Sequence, residues 1–512
     1  MLARWKISFM KGAQGKTMCN KIFKTVLLFL LLPGIFFWAV SCAVNPVSGK
    51  RQLMLLSEKK ETELGRKTDS QVISEYGKYE DAELTGYLND IGRRMGKLSH
   101  RAGLTYRIKV LDVPTVNAFA VPGGYVYFTR GILAHLNSEA QLAGVIGHEL
   151  GHITARHSAQ QYTKAQFAQL GLGVGMILSE TFRNYSKYAQ LGVGMLFLRF
   201  SRDNEREADD LGVEYSSRAG YDSREMARFF ETLERLHPGS DRSGLPGWFS
   251  THPNPIDRIG EVRVRTAEWQ ERLGLRNAKI DRKAYLRKID GLVFGDDPRQ
   301  GYVENNIFYH PGLLFQFPVP AGWDLKNTRS SVRMASKDKD AAIIFSIAQE
   351  GTPEEAARAF ADKARAVTVE SGRDSVSGLS ARYMVSRIRS DQGTIKVMSY
   401  FIRKDGKIYV FHGYSPLNKF QDYRSLFRKT MTRFKRPGSS ERLRNHPDRI
   451  RIRSASRSGP LKAVLSALGA PEKKHSQLAV LNGMDLDEIV PSGTLLKLVE
   501  VPSLGPADRP GK

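Results

Sequence analysis

Apolar and polar positions alternate with different periods along the chain, and the changes of period mark its elements. Residues 55–100 have helical spacing and open on "SEKKE", close to a capping box around Ser57. "TYRIKVLD" (105–112) alternates with period two and predicts a strand. "NAFAVPGGYVYFTRG" (117–131) places Pro-Gly-Gly between two strand-like runs, so it reads as strand, turn, strand. The spacing predicts a helix over 138–158, with Ser138 as N-cap and Glu139 in its first turn. Further helices are expected over 201–221 and 223–237, then a loop holding "STHPNPIDRI" (250–259) and a charged helix to about residue 288.

Between these helices, residues 168–198 carry a near-repeat, "AQLGLGVGMIL" and "AQLGVGMLFL". Both copies are apolar and glycine-rich, and glycine weakens a helix. Two readings fit: helices packed closely on the core, or a hinged flap that dips toward a membrane. After "FGDDPRQ" (294–300) the composition changes. Residues 302–434 mix strands such as "AIIFSIA" and "KIYVFHGY" with the helices "TPEEAARAFADKARAV" and "FQDYRSLFRKTMTRF". A basic linker follows at 436–449, then a small unit at 450–500 and a tail at 501–512. The expected organisation is therefore a leader (1–41), a mainly helical first domain (42–290), an α+β second domain (300–435) and a small third one. The fold class is α+β.

Bulk numbers narrow the partners. The 512 residues exceed one ordinary core. With 78 Lys and Arg against 53 Asp and Glu the net charge is +25, which favours anionic surfaces. No helix-turn-helix, zinc-finger or RNA-recognition signature accompanies that charge, so no nucleic-acid partner is expected. The two cysteines, Cys19 and Cys42, both lie near the N-terminus and exclude a disulfide framework in the body of the chain. Residues 1–25 hold six basic residues and no acidic one, and "VLLFLLLPGIFFWAV" (26–40) follows. Fifteen apolar residues are short for a membrane span and suit a secretory signal. The segment ends "AVSC", which resembles a bacterial lipobox with Cys42 as the lipidated residue; an uncleaved anchor is the alternative. The resemblance implies an exported, lipid-anchored protein. Ala43 after the cysteine implies the periplasmic face of the outer membrane of a Gram-negative bacterium.

The candidate chemistry lies in "VIGHELGHITARHSA" (145–159). His148 and His152 stand one helical turn apart and share a face, so both imidazoles can reach one ion. Glu149 sits about 100° round the helix, beside the ion, where it can act as general base toward a water. Extended as a helix, the chain turns His157 away from that face, which makes it a poor ligand and a surface or packing residue. Glu205 and Asp209 in "NEREAD" form a second i, i+4 pair. Glu205 is the best third ligand, with Asp209 placed to orient a ligand histidine. Glu207 and Asp210 point elsewhere on that helix.

"NAFAVPGG", "SEAQLAGVIGHELGHITARH", "SRDNEREADDLG" and "STHPNPIDRI" occur in that order, and together they resemble the M48 family of zinc metallopeptidases over residues 45–275. The resemblance implies a gluzincin-like zincin fold. It implies one Zn²⁺ held by His148, His152 and Glu205, with Glu149 as base and Asp209 behind the ligands. It also implies hydrolysis of peptide bonds in unfolded or misassembled envelope proteins, with protein or peptide substrates. The strand of Asn117, Ala118 and Phe119 would pair with extended substrate. His252 and Arg258 stay open. Arg258 either pairs with an acidic helix residue to hold the fold or serves the site, and His252 either stabilises an oxyanion or closes the fourth zinc position. "FQFPVPAGWDL" with the helices after it resembles a PsbP-like domain. "LAVLNGMDLDEIVPSGTLLKLVE" resembles the second half of a LysM module, which would bind peptidoglycan, or else serves only for docking. Envelope assembly machinery is a further expected partner. An envelope chaperone with a latent metal site is the alternative to a protease.

Overall fold

The computed structural model describes residues 42–169, 200–236, 247–252, 257–390, 393–438 and 446–500. The leader at 1–41, almost all of the glycine-rich near-repeat, part of the linker and the tail lie outside the described residues. Among the described residues, no helix is long and apolar enough to cross a membrane.

The first unit opens with a short hairpin, β1 (Cys42–Val44) and β2 (Arg51–Leu53), then helices α1 (Glu58–Tyr76) and α2 (Ala82–Leu98). Ser57 caps α1, its side chain accepting from the Lys60 amide. A three-stranded sheet follows, formed by β3 (Arg107–Leu111), β4 (Ala118–Val121) and β5 (Tyr125–Thr129). Its order is β3-β5-β4, so β4 is an edge strand. Gly123 and Gly124 carry positive φ in the turn between β4 and β5, a conformation that glycine adopts at no cost. Helix α3 (Arg130–His135) leads into α4 (Glu139–Thr154), which Ser138 caps as expected. Every residue of α4 is buried.

Helix α4 ends four residues earlier than its pattern suggests. The chain turns at Arg156, whose φ is +59°, and α5 (His157–Gln169) starts afresh. A non-glycine residue in the left-handed region costs roughly 1 kcal/mol or more and needs support. Arg156 has it: its Nε donates to Glu61 Oε2 at 3.1 Å and its Nη2 to Leu56 O at 2.8 Å. Arg101 holds the other Glu61 oxygen at 3.1 Å and also reaches Ile153 O.

Helices α6 (Arg202–Arg218), α7 (Arg224–Glu234), α8 (Trp248–Thr251), α9 (Arg258–Leu273) and α10 (Arg282–Lys288) complete the first unit. The single charged helix expected to residue 288 is thus two helices, broken at Gly274 (φ +63°). Helix α6 packs against α4 at very short range. A Cβ added at Gly147 would lie 2.8 Å from Gly212 O, and one added at Gly151 would lie 3.0 Å from Ala208 Cα. Small residues on both helices are what let their backbones touch.

The second unit begins with a three-stranded meander, β6 (Tyr302–Glu304), β7 (Ile307–His310) and β8 (Phe315–Pro318). Its main sheet has seven antiparallel strands in the order β12-β13-β14-β15-β11-β10-β9. These are β9 (Asp324–Asn327), β10 (Ser331–Ala335), β11 (Ala342–Ala348), β12 (Val367–Val376), β13 (Leu379–Ser390), β14 (Gly393–Lys404) and β15 (Lys407–Pro416). Alternate side chains serve opposite faces. Phe401, Ile408 and Val410 pack with α11 (Pro353–Ala364), while Tyr400, Ile402, Tyr409 and Phe411 pack with α12 (Phe420–Thr432).

The third unit runs β16 (Arg449–Ser454), β17 (Gly459–Pro460), α13 (Leu461–Ala467), α14 (His475–Asn482), β18 (Ile489–Val490) and β19 (Leu495–Glu500), with β16 and β19 antiparallel. Consecutive in sequence with the second unit, it shares its core with the first: Leu461, Leu478, Leu481 and Leu496 join Ile132, Leu133, Leu136 and Tyr285 in one apolar cluster. The chain leaves the first unit at Phe294 and returns at Asp448, where the Phe294 amide donates to Asp448 O at 2.8 Å. Fully buried Lys497 ties the units together, donating to Ala134 O at 2.7 Å and Leu136 O at 2.9 Å at the end of α3.

Candidate metal centre

The close contact of α4 and α6 brings two i, i+4 pairs face to face. His148 and His152 project from α4, Glu205 and Asp209 from α6, and His252 arrives from the end of α8. All but Asp209 are at most 1% exposed. One ligand atom from each of His148, His152, Glu205 and His252 lies within 4.8 Å of the others. His148 Nε2 is 3.1 Å from His152 Nε2 and 3.3 Å from His252 Nδ1. Glu205 Oε1 is 3.1 Å from His252 Nδ1 and 3.6 Å from His152 Nε2, and Glu205 Oε2 is 3.7 Å from His148 Nε2. A tetrahedron with metal–ligand bonds of about 2.0–2.1 Å has edges of roughly 3.3 Å, so these separations suit zinc. The charge balance agrees. Glu149, Glu205 and Asp209 are buried carboxylates facing one buried guanidinium, Arg258. A divalent cation neutralises that excess, which would otherwise be costly.

Several of the remaining ligand atoms are held, whereas His252 Nε2 and Glu205 Oε2 have no hydrogen-bond partner among the described residues. Asp209 Oδ1 accepts from His148 Nδ1 at 2.8 Å. Arg258 donates to both Asp209 oxygens at 2.6 Å, lies 3.3 Å from Glu205 Oε2, and stacks over Phe230 at 4.4 Å. Arg258 therefore pairs with an acidic helix residue, and that residue, Asp209, is itself a neighbour of the donor cluster. Phe200 stacks on His152 at 4.0 Å and Trp248 on His252 at 4.4 Å.

Glu149 differs from its neighbours. It is fully buried, and neither carboxylate oxygen has a hydrogen-bond partner among the described residues. Oε1 lies 3.7 Å from His252 Nε2. Burial pushes its pKa up, against the pull of His252 and His148. Burial and neighbouring histidines hold His152 well below its ordinary value. For His252 burial opposes the charge, yet the Glu205 and Glu149 carboxylates prevail and raise it. The predicted substrate strand is β4, whose outer edge pairs with no other strand among the described residues; Ala118 and Phe119 lie on it, and the Asn117 backbone joins Thr129 just before it.

Of the surface and packing alternatives for His157, the structure shows packing: it is fully buried, with Nδ1 2.9 Å from His152 Nδ1. Glu207 stands outside the donor cluster, and its Oε2 is 3.0 Å from His157 Nε2. Helical spacing alone does not give these two contacts, because the chain turns at Arg156 instead of continuing α4. Asp210 does point elsewhere, toward Arg265 at 3.2 Å.

Comparison with known proteins follows the same segment. The profile of peptidase family M48 matches residues 82–266, and M48 metallopeptidases use zinc. The mitochondrial metalloendopeptidase OMA1 of Arabidopsis thaliana is 39% identical over 159 residues, covering 30% of this chain and 30% of that protein. The beta-barrel assembly-enhancing protease of Escherichia coli (strain K12) is 30% identical over 194 residues, covering 36% and 39%. The chain thus spans well under half the length of these relatives. Among solved structures, a cyanobacterial PsbP from Synechocystis sp. PCC 6803 is similar over 26% of this chain and 91% of its own, at 14% identity and a TM-score of 0.23. The profile match and the donor cluster fall on the same helices, and residues 82–266 of this chain are a peptidase family M48 domain.

Proposed function

We propose that this protein is a zinc-dependent endopeptidase of the bacterial cell envelope that hydrolyses peptide bonds in unfolded or misassembled protein segments. The observation that carries the reading is Glu149, a buried carboxylate with no hydrogen-bond partner among the described residues and 3.7 Å from His252 Nε2, on the helix that presents His148 and His152. His148, His152 and Glu205 would hold the ion, and His252 fills the fourth corner in a resting state. When bound, zinc polarises the scissile carbonyl and acidifies the attacking water. Glu149 takes the proton of that water and passes it to the leaving amine. Asp209 orients His148, and Arg258 fixes Asp209. The free edge of β4 pairs with extended substrate backbone through main-chain hydrogen bonds, which gives little sequence selectivity. His252 swings out of the donor set to admit the substrate carbonyl. Cys42 anchors the chain by lipid at the periplasmic face of the outer membrane. The name of the E. coli relative, a beta-barrel assembly-enhancing protease, supports envelope assembly machinery as a partner class, and the buried contact of the third unit favours docking over reach to peptidoglycan.

The test compares wild type with Glu149→Gln for zinc content and for hydrolysis of an unfolded, casein-like protein. Both should hold one zinc per chain and only wild type should cleave. Zinc in both with cleavage by neither would replace the protease with a chaperone that keeps a latent site. Absence of zinc from wild type purified without chelator would remove the metal reading altogether.

A further inference from the structure

We infer that His157 and Glu207 form a positioning relay behind His152, a counterpart of the Asp209–Arg258 pair behind His148; the inference rests on the metal site proposed above. Bond directions follow from what each atom can do. His152 turns Nε2 toward His148 and Glu205, at 3.1 and 3.6 Å. A ring that ligates through Nε2 carries its proton on Nδ1. That Nδ1–H meets His157 Nδ1 at 2.9 Å, so His157 Nδ1 accepts. The proton of neutral His157 is then on Nε2, and it donates to Glu207 Oε2 at 3.0 Å, a carboxylate that can only accept. One arrangement of protons satisfies all three groups, and in it His152 presents its Nε2 lone pair to the ion.

The fold builds this relay on purpose-shaped backbone. His157 reaches His152 because Arg156 turns the chain in the left-handed region, and the buried Glu61–Arg101–Arg156 cluster pins that turn. Helix α6 then serves both ligand histidines within little more than one turn: Glu205 on the ligand face, Glu207 beside His157, Asp209 beside His148. The arms differ in exposure. The Asp209 side chain is 6% exposed and clamped by Arg258, while that of Glu207 is 31% exposed. The His152 arm is the one open to solvent, and its carboxylate can be changed without disturbing the core.

The experiment measures zinc affinity by competition with a chromophoric chelator, for wild type, Glu207→Ala, Glu207→Gln, His157→Ala, His157→Gln and, as control, Asp210→Ala. Loss of an outer partner of a ligand histidine lowers metal affinity about 10–100-fold. Glu207→Ala and His157→Ala should fall in that range. The two Gln variants should recover part of it, since each amide can accept or donate in the same place. Asp210→Ala should match wild type. Unfolding midpoints taken in excess chelator separate a binding defect from a folding defect, and Glu207, at the surface, keeps the test open if His157→Ala folds poorly. Glu207→Ala within twofold of wild type, with its metal-free midpoint unchanged, would overturn the relay. A wild type that binds no zinc would instead overturn the metal reading beneath it.

Discussion

Gly147→Ala perturbs the contact on which the site depends. The added Cβ would lie 2.8 Å from Gly212 O and 2.9 Å from Gly212 Cα, both backbone atoms of the helix that carries Glu205 and Asp209. Ordinary contact begins near 3.5 Å, so the two helices must part by roughly 0.7 Å. Metal–ligand distances tolerate about ±0.2 Å, so Glu205 cannot keep its place relative to His148 and His152 without strain. Overpacking of this kind costs about 1–3 kcal/mol. If the metal-free protein relaxes by parting the helices, the whole of that strain opposes metal binding, a loss of roughly 5- to 150-fold in affinity. Chelator competition reads the affinity, and denaturant unfolding of the metal-free protein reads the remaining stability cost. Gly86→Ala is the control. It also lies within a helix, but a Cβ there meets nothing within 4 Å. It should leave zinc affinity unchanged and raise stability by about 0.5–1 kcal/mol. Wild-type zinc affinity and stability in Gly147→Ala would refute the argument that close helix contact assembles the site.

His252→Ala should keep bound zinc and change turnover of an unfolded substrate, upward if His252 closes the fourth corner; identical turnover would sink that role. Lys497→Ala strands Ala134 O and Leu136 O in a buried contact, at about 1–3 kcal/mol for each carbonyl, and should split off an early denaturant transition as the third unit undocks. A single unchanged transition would contradict the clamp. Burial pushes His135 down to about 4 from an ordinary value of 6.5. The unfolded chain therefore takes up a proton that the folded one refuses. Stability contributed by this residue is present above pH 6.5 and is lost as pH falls toward 4, by about 3 kcal/mol in all. Urea unfolding of wild type and His135→Gln between pH 7 and 4 should show wild type losing that much more, and a difference independent of pH would refute it.

Much of the metal centre was legible because helical period alone sets it. Ser138 caps the helix of His148 and His152, and Glu205 and Asp209 share a face of theirs, as four-residue spacing requires. The β4–turn–β5 hairpin followed from Pro-Gly-Gly punctuation. What escaped the sequence depends on tertiary support. Nothing local marks Arg156 as left-handed; its partner Glu61 is 95 residues away. Without that turn, His157 and Glu207 cannot be placed. His252 and Arg258 could be named but not assigned, since their partners lie on another helix. The shared core of the first and third units was likewise hidden, because Lys497 reads as an ordinary strand lysine until Ala134 and Leu136 are seen beneath it.

The central claim is that His148, His152, Glu205 and His252 surround one zinc ion. Anomalous diffraction at the zinc absorption edge from crystals of protein purified without added metal tests it directly. The account predicts a single peak per chain, about 2.0–2.2 Å from Nε2 of His148 and His152, from a Glu205 carboxylate oxygen and from His252 Nδ1. A peak outside this cluster, or no peak in protein that hydrolyses peptides, would contradict it.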